Sequence, residues 1–219
     1  MSKAFEPPLN KTEIANIFPQ YDGFEPIEEG GQGSVFKAQN SIGLNVALKV
    51  FFPEQLRIRA EMEVQKLLEL NSPYLARLVD YGPINVRGLE SYFCATLYEE
   101  GEDLRKFLLR EGVLSEKEVV KLIIQIGCAI DQLWKVRVVH CDVKPANILI
   151  GTDGLFRLID LGIAKHLDAQ TITQFGIILG TLGYMAPEQM MGRKNLTLRA
   201  DLFSLGVVAY EALTGHHPF

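Results

Sequence analysis

The sequence predicts an α+β chain, with a strand-rich first part and a helix-dominated second part. Two observations carry this reading. Short β-type runs broken by Gly, Asn and Pro crowd residues 21–98. Beyond residue 99, apolar positions recur at helical spacing behind a capping box. A polar, Gly-containing crossing, Glu99 to Asp103, separates the two parts and is read as a boundary between lobes. The expected organisation is an N-terminal extension over 1–20, a first lobe over 21–98 and a second over 99–219.

The elements follow in chain order. Met1 to Asn10 carries Lys3, Glu6 and Pro7-Pro8 in place of an apolar run, so it does not read as a signal peptide. Strands are expected at Ser34–Ala38, Asn45–Phe52, Ala76–Tyr81 and Ser91–Tyr98. One helix interrupts them, from about Pro53 to Leu70, with Leu56, Ala60, Val64, Leu67 and Leu68 on one side. In the second half, Ser115-Glu116-Lys117-Glu118 opens an amphipathic helix that carries Val119, Leu122, Ile123, Ile126, Ala129, Ile130 and Leu133. The run Asp201–Thr214 is apolar on almost every face and calls for burial all round. The sequence ends at Phe219, so a partner or a further C-terminal segment is expected to cover that helix.

Composition narrows the function classes. With 219 residues, 47% of them apolar, the chain suits one substantial domain or two small lobes. The 22 basic and 27 acidic residues are scattered and give a net charge of −5, which argues against nucleic-acid binding or a basic membrane patch. No apolar run approaches the roughly 20 residues of a membrane span. Cys94, Cys128 and Cys141 are odd in number and set in apolar segments, which fits reduced thiols in a cytoplasmic setting.

Ile27-Glu28-Glu29-Gly30-Gly31-Gln32-Gly33-Ser34-Val35 is a glycine-rich turn in which backbone N–H groups can approach phosphates, although such hairpins also serve simply as turns. One strand later, Val46-Ala47-Leu48-Lys49 sets a cation in an apolar run, where a buried ammonium needs a partner. Glu63 on the 53–70 helix is the natural candidate and Glu61 its rival; the alternative is a Lys49 that snorkels to solvent.

Val139-His140-Cys141-Asp142-Val143-Lys144-Pro145-Ala146-Asn147-Ile148-Leu149, followed by Arg157-Leu158-Ile159-Asp160-Leu161-Gly162, is far more specific. Together with Gly180-Thr181-Leu182-Gly183-Tyr184-Met185-Ala186-Pro187-Glu188 and Asp201-Leu202-Phe203-Ser204-Leu205-Gly206, it resembles the eukaryotic-type (Hanks-type) Ser/Thr protein kinase domain over roughly Phe24 to Phe219. The resemblance implies a bilobal protein kinase-like fold, with a β-rich N-lobe bearing one regulatory helix and a mainly helical, incomplete C-lobe. It implies ATP and Mg²⁺ as cofactors and a protein hydroxyl as acceptor. Phosphoryl transfer of this kind needs positioning and charge neutralisation more than covalent help. Asp142 would then orient the acceptor hydroxyl and take its proton, Lys144 would neutralise the moving phosphate, and Lys49 held by Glu63 would meet phosphate oxygens. Asn147 and Asp160 would supply hard oxygens for Mg²⁺.

The same resemblance assigns nucleotide contacts to Ile27, Gly30, Gly33, Val35, Ala47, Lys49, Thr96, Leu97, Glu99, Asp103 and Leu149. Thr96 gates the adenine pocket, Val35, Ala47 and Leu149 sandwich the ring, the Leu97 and Glu99 backbone meets its edge, and Asp103 approaches the ribose. It assigns Thr171, Thr173, Thr181 and Glu188 to the activation segment. Lys144 after Asp142, together with Thr181 in the Gly-Thr segment, looks like the Ser/Thr-specific pattern more than the Tyr-specific one. His140 is expected to pack in an apolar stack with Leu161, Leu67 and Leu78 and not to act as an acid or base.

Three residues depart from the family pattern. Glu28 replaces the first loop glycine, Leu161 the usual Phe, and Cys141 the usual Arg that pins a phosphorylated segment. Phosphorylation at Thr171 or Thr173 is therefore not expected to switch activity through position 141. The expected function is Ser/Thr protein kinase activity; the alternative is a nucleotide-binding pseudokinase or interaction module without efficient catalysis.

Overall fold

The strand-rich first part folds as one antiparallel sheet of β1 (Tyr21–Gly30), β2 (Gly33–Asn40), β3 (Asn45–Phe51), β4 (Leu78–Val86) and β5 (Leu89–Leu97). The computed structural model describes residues 5–30, 33–52, 65–160, 181–193 and 195–219. They fall into two units, one built from residues 5–68 and 77–98, the other from 69–76 and from 99 onward. The strand order in the first unit is β1-β2-β3-β5-β4. All four expected strands differ from the observed ones at their ends. β4 starts two residues later than the expected Ala76 and runs on to Val86, and β5 begins at Leu89 because the tight turn Arg87-Gly88, both at positive φ, brings the strands together there. The expected 53–70 helix lies mostly outside the described residues; positions 65–67 are helical.

Strict alternation gives this sheet two unlike faces. On β2 and β3, Phe36, Ala38, Val46, Leu48 and Val50 are buried, while Val35, Lys37, Ala47 and Lys49 between them are half-buried. The buried face needs a cover, and the N-terminal extension provides it. Helix α1 (Lys11–Ile17) opens with a capping box in which the Asn10 side chain accepts from Thr12 and Glu13 N–H and Glu13 accepts from Asn10 N–H. Phe5, Leu9, Ile14 and Phe18 then join Phe36, Val46, Leu48, Val50 and Phe93 in one core. Phe18 meets Phe93 edge-on at 4.8 Å between centroids. Burying Ile14 and Phe18 contributes about 1.5–3 kcal/mol each.

Polar contacts fasten this segment. Arg87 Nε and Nη2 donate to the two oxygens of Glu13 at 2.8 and 2.9 Å, and Nη1 donates to the Pro7 carbonyl at 2.7 Å. The Tyr21 hydroxyl donates to Asp80 at 2.9 Å, and burial with that bond pushes the phenol well above its usual range.

In the second unit, β6 (Gly101–Asp103), β7 (Ile148–Gly151) and β8 (Phe156–Leu158) form a small antiparallel sheet. Around it stand α2 (Leu104–Glu111), α3 (Glu116–Lys135), α4 (Pro187–Met190) and α5 (Leu198–Thr214). The capping box expected at Ser115 is formed: Ser115 N–H donates to Glu118 Oε2 at 2.9 Å and Glu118 N–H donates back to Ser115 Oγ at 3.3 Å. The buried stripe of α3 is Val119, Leu122, Gln125, Ile126, Ala129, Ile130 and Leu133; Ile123, expected with them, is exposed because it lies one position round from Leu122. Helix α5 starts at Leu198, three residues before the expected Asp201, because Thr197 caps it and leaves Asp201 in the first turn. It ends where Gly215 adopts φ +74°, a left-handed cap that suits glycine. Among the described residues α5 is not buried all round, since Leu202, Tyr210 and Leu213 stay exposed. No helix among the described residues is long and apolar enough to cross a membrane.

The Glu13 clasp fixes a pH dependence. The Arg87 hydrogen bonds, helped by the Asn10 N–H, lower the Glu13 carboxyl from 4.5 to about 2. A depressed carboxyl stabilises the fold above its unfolded value and loses that contribution as pH falls through the folded value. Wild type should exceed Glu13→Gln in urea midpoint at pH 7, with the gap closing as pH falls from 4.5 toward 2; a constant gap would contradict this clasp.

Candidate active site

The segment between α3 and β7 contains His140, Asp142, Lys144 and Asn147, and one buried carboxylate holds it. Asp201, in the first turn of α5, accepts from His140 N–H and Cys141 N–H, one on each oxygen, both at 2.8 Å. Such a buried anion is tolerable because the charge is met by two aimed donors. Cys141 pays for the turn with φ +61°, a conformation side chains rarely adopt, and its carbonyl accepts from Gln189 Nε2 at 2.8 Å. The loop is thus fixed through the backbone of residue 141, whatever its side chain.

His140 is fully buried and both ring nitrogens are engaged. Nδ1 accepts from Asp142 N–H at 3.2 Å, and Nε2–H donates to the Asp160 carbonyl. That pattern leaves the ring no role as a proton shuttle. Leu161 of the expected stack lies outside the described residues, and Leu67 and Leu78 belong to the other unit.

Asp142 is the hub. Asn147 Nδ2 donates to its backbone carbonyl at 2.9 Å and to Oδ2 at 3.1 Å. Lys144 Nζ stands 3.1 Å from Oδ2, and the Thr181 hydroxyl donates to Oδ1 at 3.2 Å while accepting from Lys144 Nζ at 2.9 Å. Because Asn147 spends its amide hydrogens on Asp142, its Oδ1 is turned away from that carboxylate. Ile159 N–H donates to the Asn147 carbonyl at 3.0 Å, which sets Asp160 one residue from this contact. Asn147 and Asp160 therefore offer hard oxygens from neighbouring backbone, a donor set that fits Mg²⁺.

The other predicted residues of this unit have mixed surroundings. Leu149 is buried on β7 opposite Arg157. Arg157 grips Asp153, whose carboxyl is held far below its usual range by that bond, and lies 3.8 Å from Glu99. A Cβ at Gly151 would stand 2.3 Å from the Arg157 guanidinium and 2.6 Å from Asp153 Oδ1, so a larger residue there would push these side-chain ends aside. Asp103 caps α2 by accepting from Lys106 N–H at 2.9 Å and pairs with Lys106 Nζ, so its carboxylate already has a structural task. Glu188 sits in the first turn of α4.

In the first unit, register places Val35 opposite Lys49, Lys37 opposite Ala47, Ala47 opposite Thr96 and Lys49 opposite Cys94; Thr96 and Cys94 are buried, the others half-buried. Ile27 is the extra residue of a bulge between Pro26 and Glu28, and Glu28 pairs with Val35. Gly30 pairs with Gly33, where a Cβ would lie 2.2 Å from the Val50 carbonyl, so sheet closure alone demands this glycine. The Leu97 N–H is donated to the Arg77 carbonyl at 2.8 Å, which leaves only the carbonyl of this residue for an adenine edge. Glu63, Thr171 and Thr173 lie outside the described residues.

Sequence reasoning missed several residues that shape the loop. Gln189 ties α4 to Cys141, Ser204 Oγ donates to the Tyr184 carbonyl at 2.6 Å, and Tyr184 donates to the Glu211 carboxylate. Burial and that last bond raise the Tyr184 phenol above its usual range. These partners are separated by 20 or more positions and follow no local spacing rule. Replacing Asp201 with Ala should orphan two buried N–H groups at about 1–3 kcal/mol each. A fall of about 2–5 kcal/mol in unfolding free energy is expected, with an effect below 1 kcal/mol counting against the anchor.

A family model described as the protein kinase domain matches residues 21–219. Serine/threonine-protein kinase PknA of Mycobacterium tuberculosis is 40% identical over 203 residues, covering 88% of this chain and 46% of the relative. PknD of the same species is 33% identical over 213 residues, covering 94% of this chain and 31% of the relative. PknE is 34% identical over 199 residues, with 88% and 34% covered. The chain spans less than half the length of these curated relatives. With the Asp142 hub and this match along nearly all of its length, the chain belongs to the protein kinase domain family.

Proposed function

We propose that this chain transfers the γ-phosphate of ATP to Ser or Thr hydroxyls of a protein. The observation that carries the reading is the Asp142 carboxylate, held between Asn147, Lys144 and Thr181. ATP with Mg²⁺ supplies the phosphoryl group and a cation that neutralises its charge. Asn147 Oδ1 and the Asp160 carboxylate would hold that cation. The acceptor hydroxyl would displace Thr181 from Asp142 Oδ1, be oriented there and give up its proton to the carboxylate. Lys144 would compensate charge on the moving phosphoryl oxygens.

On the first unit, Val35, Ala47 and Thr96 would meet adenine while Lys49, with Glu63 as its proposed partner, would meet phosphate oxygens. Ile27, Gly30, Gly33, Leu97, Glu99, Asp103 and Leu149 complete the proposed nucleotide set, and the lobe boundary is proposed at residue 99. Cys94, Cys128 and Cys141, none of them in a disulfide, fit a reducing, cytoplasmic setting. Glu28 and Cys141 favour a second reading, a nucleotide-binding module without efficient transfer. Against it, the loop is held through the Cys141 backbone and needs no arginine side chain for its shape.

Asp142→Asn separates the readings. It keeps the shape and the Asn147 contact but loses the base, so turnover with a protein substrate should fall by about 10²–10⁴-fold. An equal rate of transfer by the variant would refute the assignment of Asp142.

A further inference from the structure

The first 20 residues lie outside the part of the chain that matches the kinase family model. Residues 5–18 nevertheless cover the buried face of the first unit's sheet. We propose that residues 5–18 are a positioning strap for nucleotide binding, fixing the sheet from behind so that Lys49 and Ala47 are held on its other face. The proposal rests on the nucleotide-binding role given above to that face.

Three observations carry it. The first is alternation on a single strand. Val46, Leu48 and Val50 of β3 are fully buried in the cluster that contains Phe5, Leu9, Ile14 and Phe18, and Ala47 and Lys49 lie between them. A shift of β3 on one face is therefore a shift of Lys49 on the other, since side chains one residue apart share a backbone. Packed cores transmit such displacements because they are dense and have few voids.

The second observation is that the strap is attached at a defined point and not merely by apolar contact. Glu13 meets Arg87 in a two-bond pair at 2.8 and 2.9 Å, and Arg87 also donates to the Pro7 carbonyl at 2.7 Å. One arginine in the β4–β5 turn thus holds both the helix and the extended stretch before it. Planar bidentate geometry of this kind gives direction as well as attraction. The third is continuity: Phe18 N–H donates to Ile14 O, and Tyr21 N–H donates to Phe18 O, so the strap runs straight into β1. That strand pairs through Glu28, Glu29 and Gly30 with the start of β2, where the glycine-rich turn closes.

The clasp can be cut without touching the core, because Glu13 and Arg87 are each about one-third exposed, at 31%. The test uses the full chain, wild type, Glu13→Gln, Arg87→Gln, and the reversed pair Glu13→Arg with Arg87→Glu. Two quantities are read: tryptic cleavage after Lys11, whose peptide bond is held in the first turn of α1 in the closed strap, and the dissociation constant of a fluorescent ATP analogue with Mg²⁺. Each single variant should be cleaved faster after Lys11 and bind the analogue about two- to thirty-fold more weakly, the range for mutations that couple through packing. The reversed pair remakes the carboxylate–guanidinium contact but neither the Asn10 cap nor the bond to the Pro7 carbonyl, so it should restore both readouts in part, which simple loss of stability at either position would not do. Faster cleavage with unchanged affinity would make the strap a passive cover and overturn the inference. Lys11 protected in both single variants would overturn the clasp itself. A wild-type chain that binds no analogue would instead refute the nucleotide-binding reading, and the inference with it.

Discussion

The second unit depends on a single buried carboxylate. Asp201 accepts from two successive backbone N–H groups, offered by a loop that turns through positive φ at Cys141. From that fixed point the rest follows in short steps. His140 is oriented so that its ring bridges Asp142 N–H and the Asp160 carbonyl, and Asn147 is drawn onto Asp142. Helix α5 can hold the carboxylate rigidly because Thr197 caps it three residues earlier than the apolar run suggests. The geometry of the candidate site is therefore set by helix packing, with the loop as its readout.

The first unit answers a different constraint. A sheet cannot leave an apolar face in water, and this one covers its face with chain that precedes the family's own first strand. The opposite face is then free to carry Lys49 and Thr96 in register. Substitution of Arg by Cys at position 141 is compatible with this economy of means, because the neighbours of residue 141 bind its backbone.

Local rules made part of this legible. The Ser115 box, the alternation of β3 and the stripe of α3 are short-range patterns, and the structure forms each of them. The residue order from His140 to Asp160 sufficed to identify the family. The Asn10-Lys11-Thr12-Glu13 box obeys the same capping rule, but a seven-residue helix with few apolar positions has little periodicity to announce it. What makes that helix matter is Arg87, 74 positions away. The links from Asp201 to Cys141 and from Gln189 to Cys141 are equally non-local. Asp103, which the resemblance assigns to the ribose, also caps α2, a task that Asp at such a position performs for purely local reasons.

The central claim is that Asp142 and Asn147 are set for phosphoryl transfer before any nucleotide arrives. The most direct measurement is a crystal structure of the chain with Mg²⁺ and a non-hydrolysable ATP analogue. The account predicts the cation on Asn147 Oδ1 and the Asp160 carboxylate, with Asn147 Nδ2 still on Asp142 and both backbone bonds to Asp201 intact. A cation bound elsewhere, or a loop that must leave Asp201 to receive it, would contradict the account.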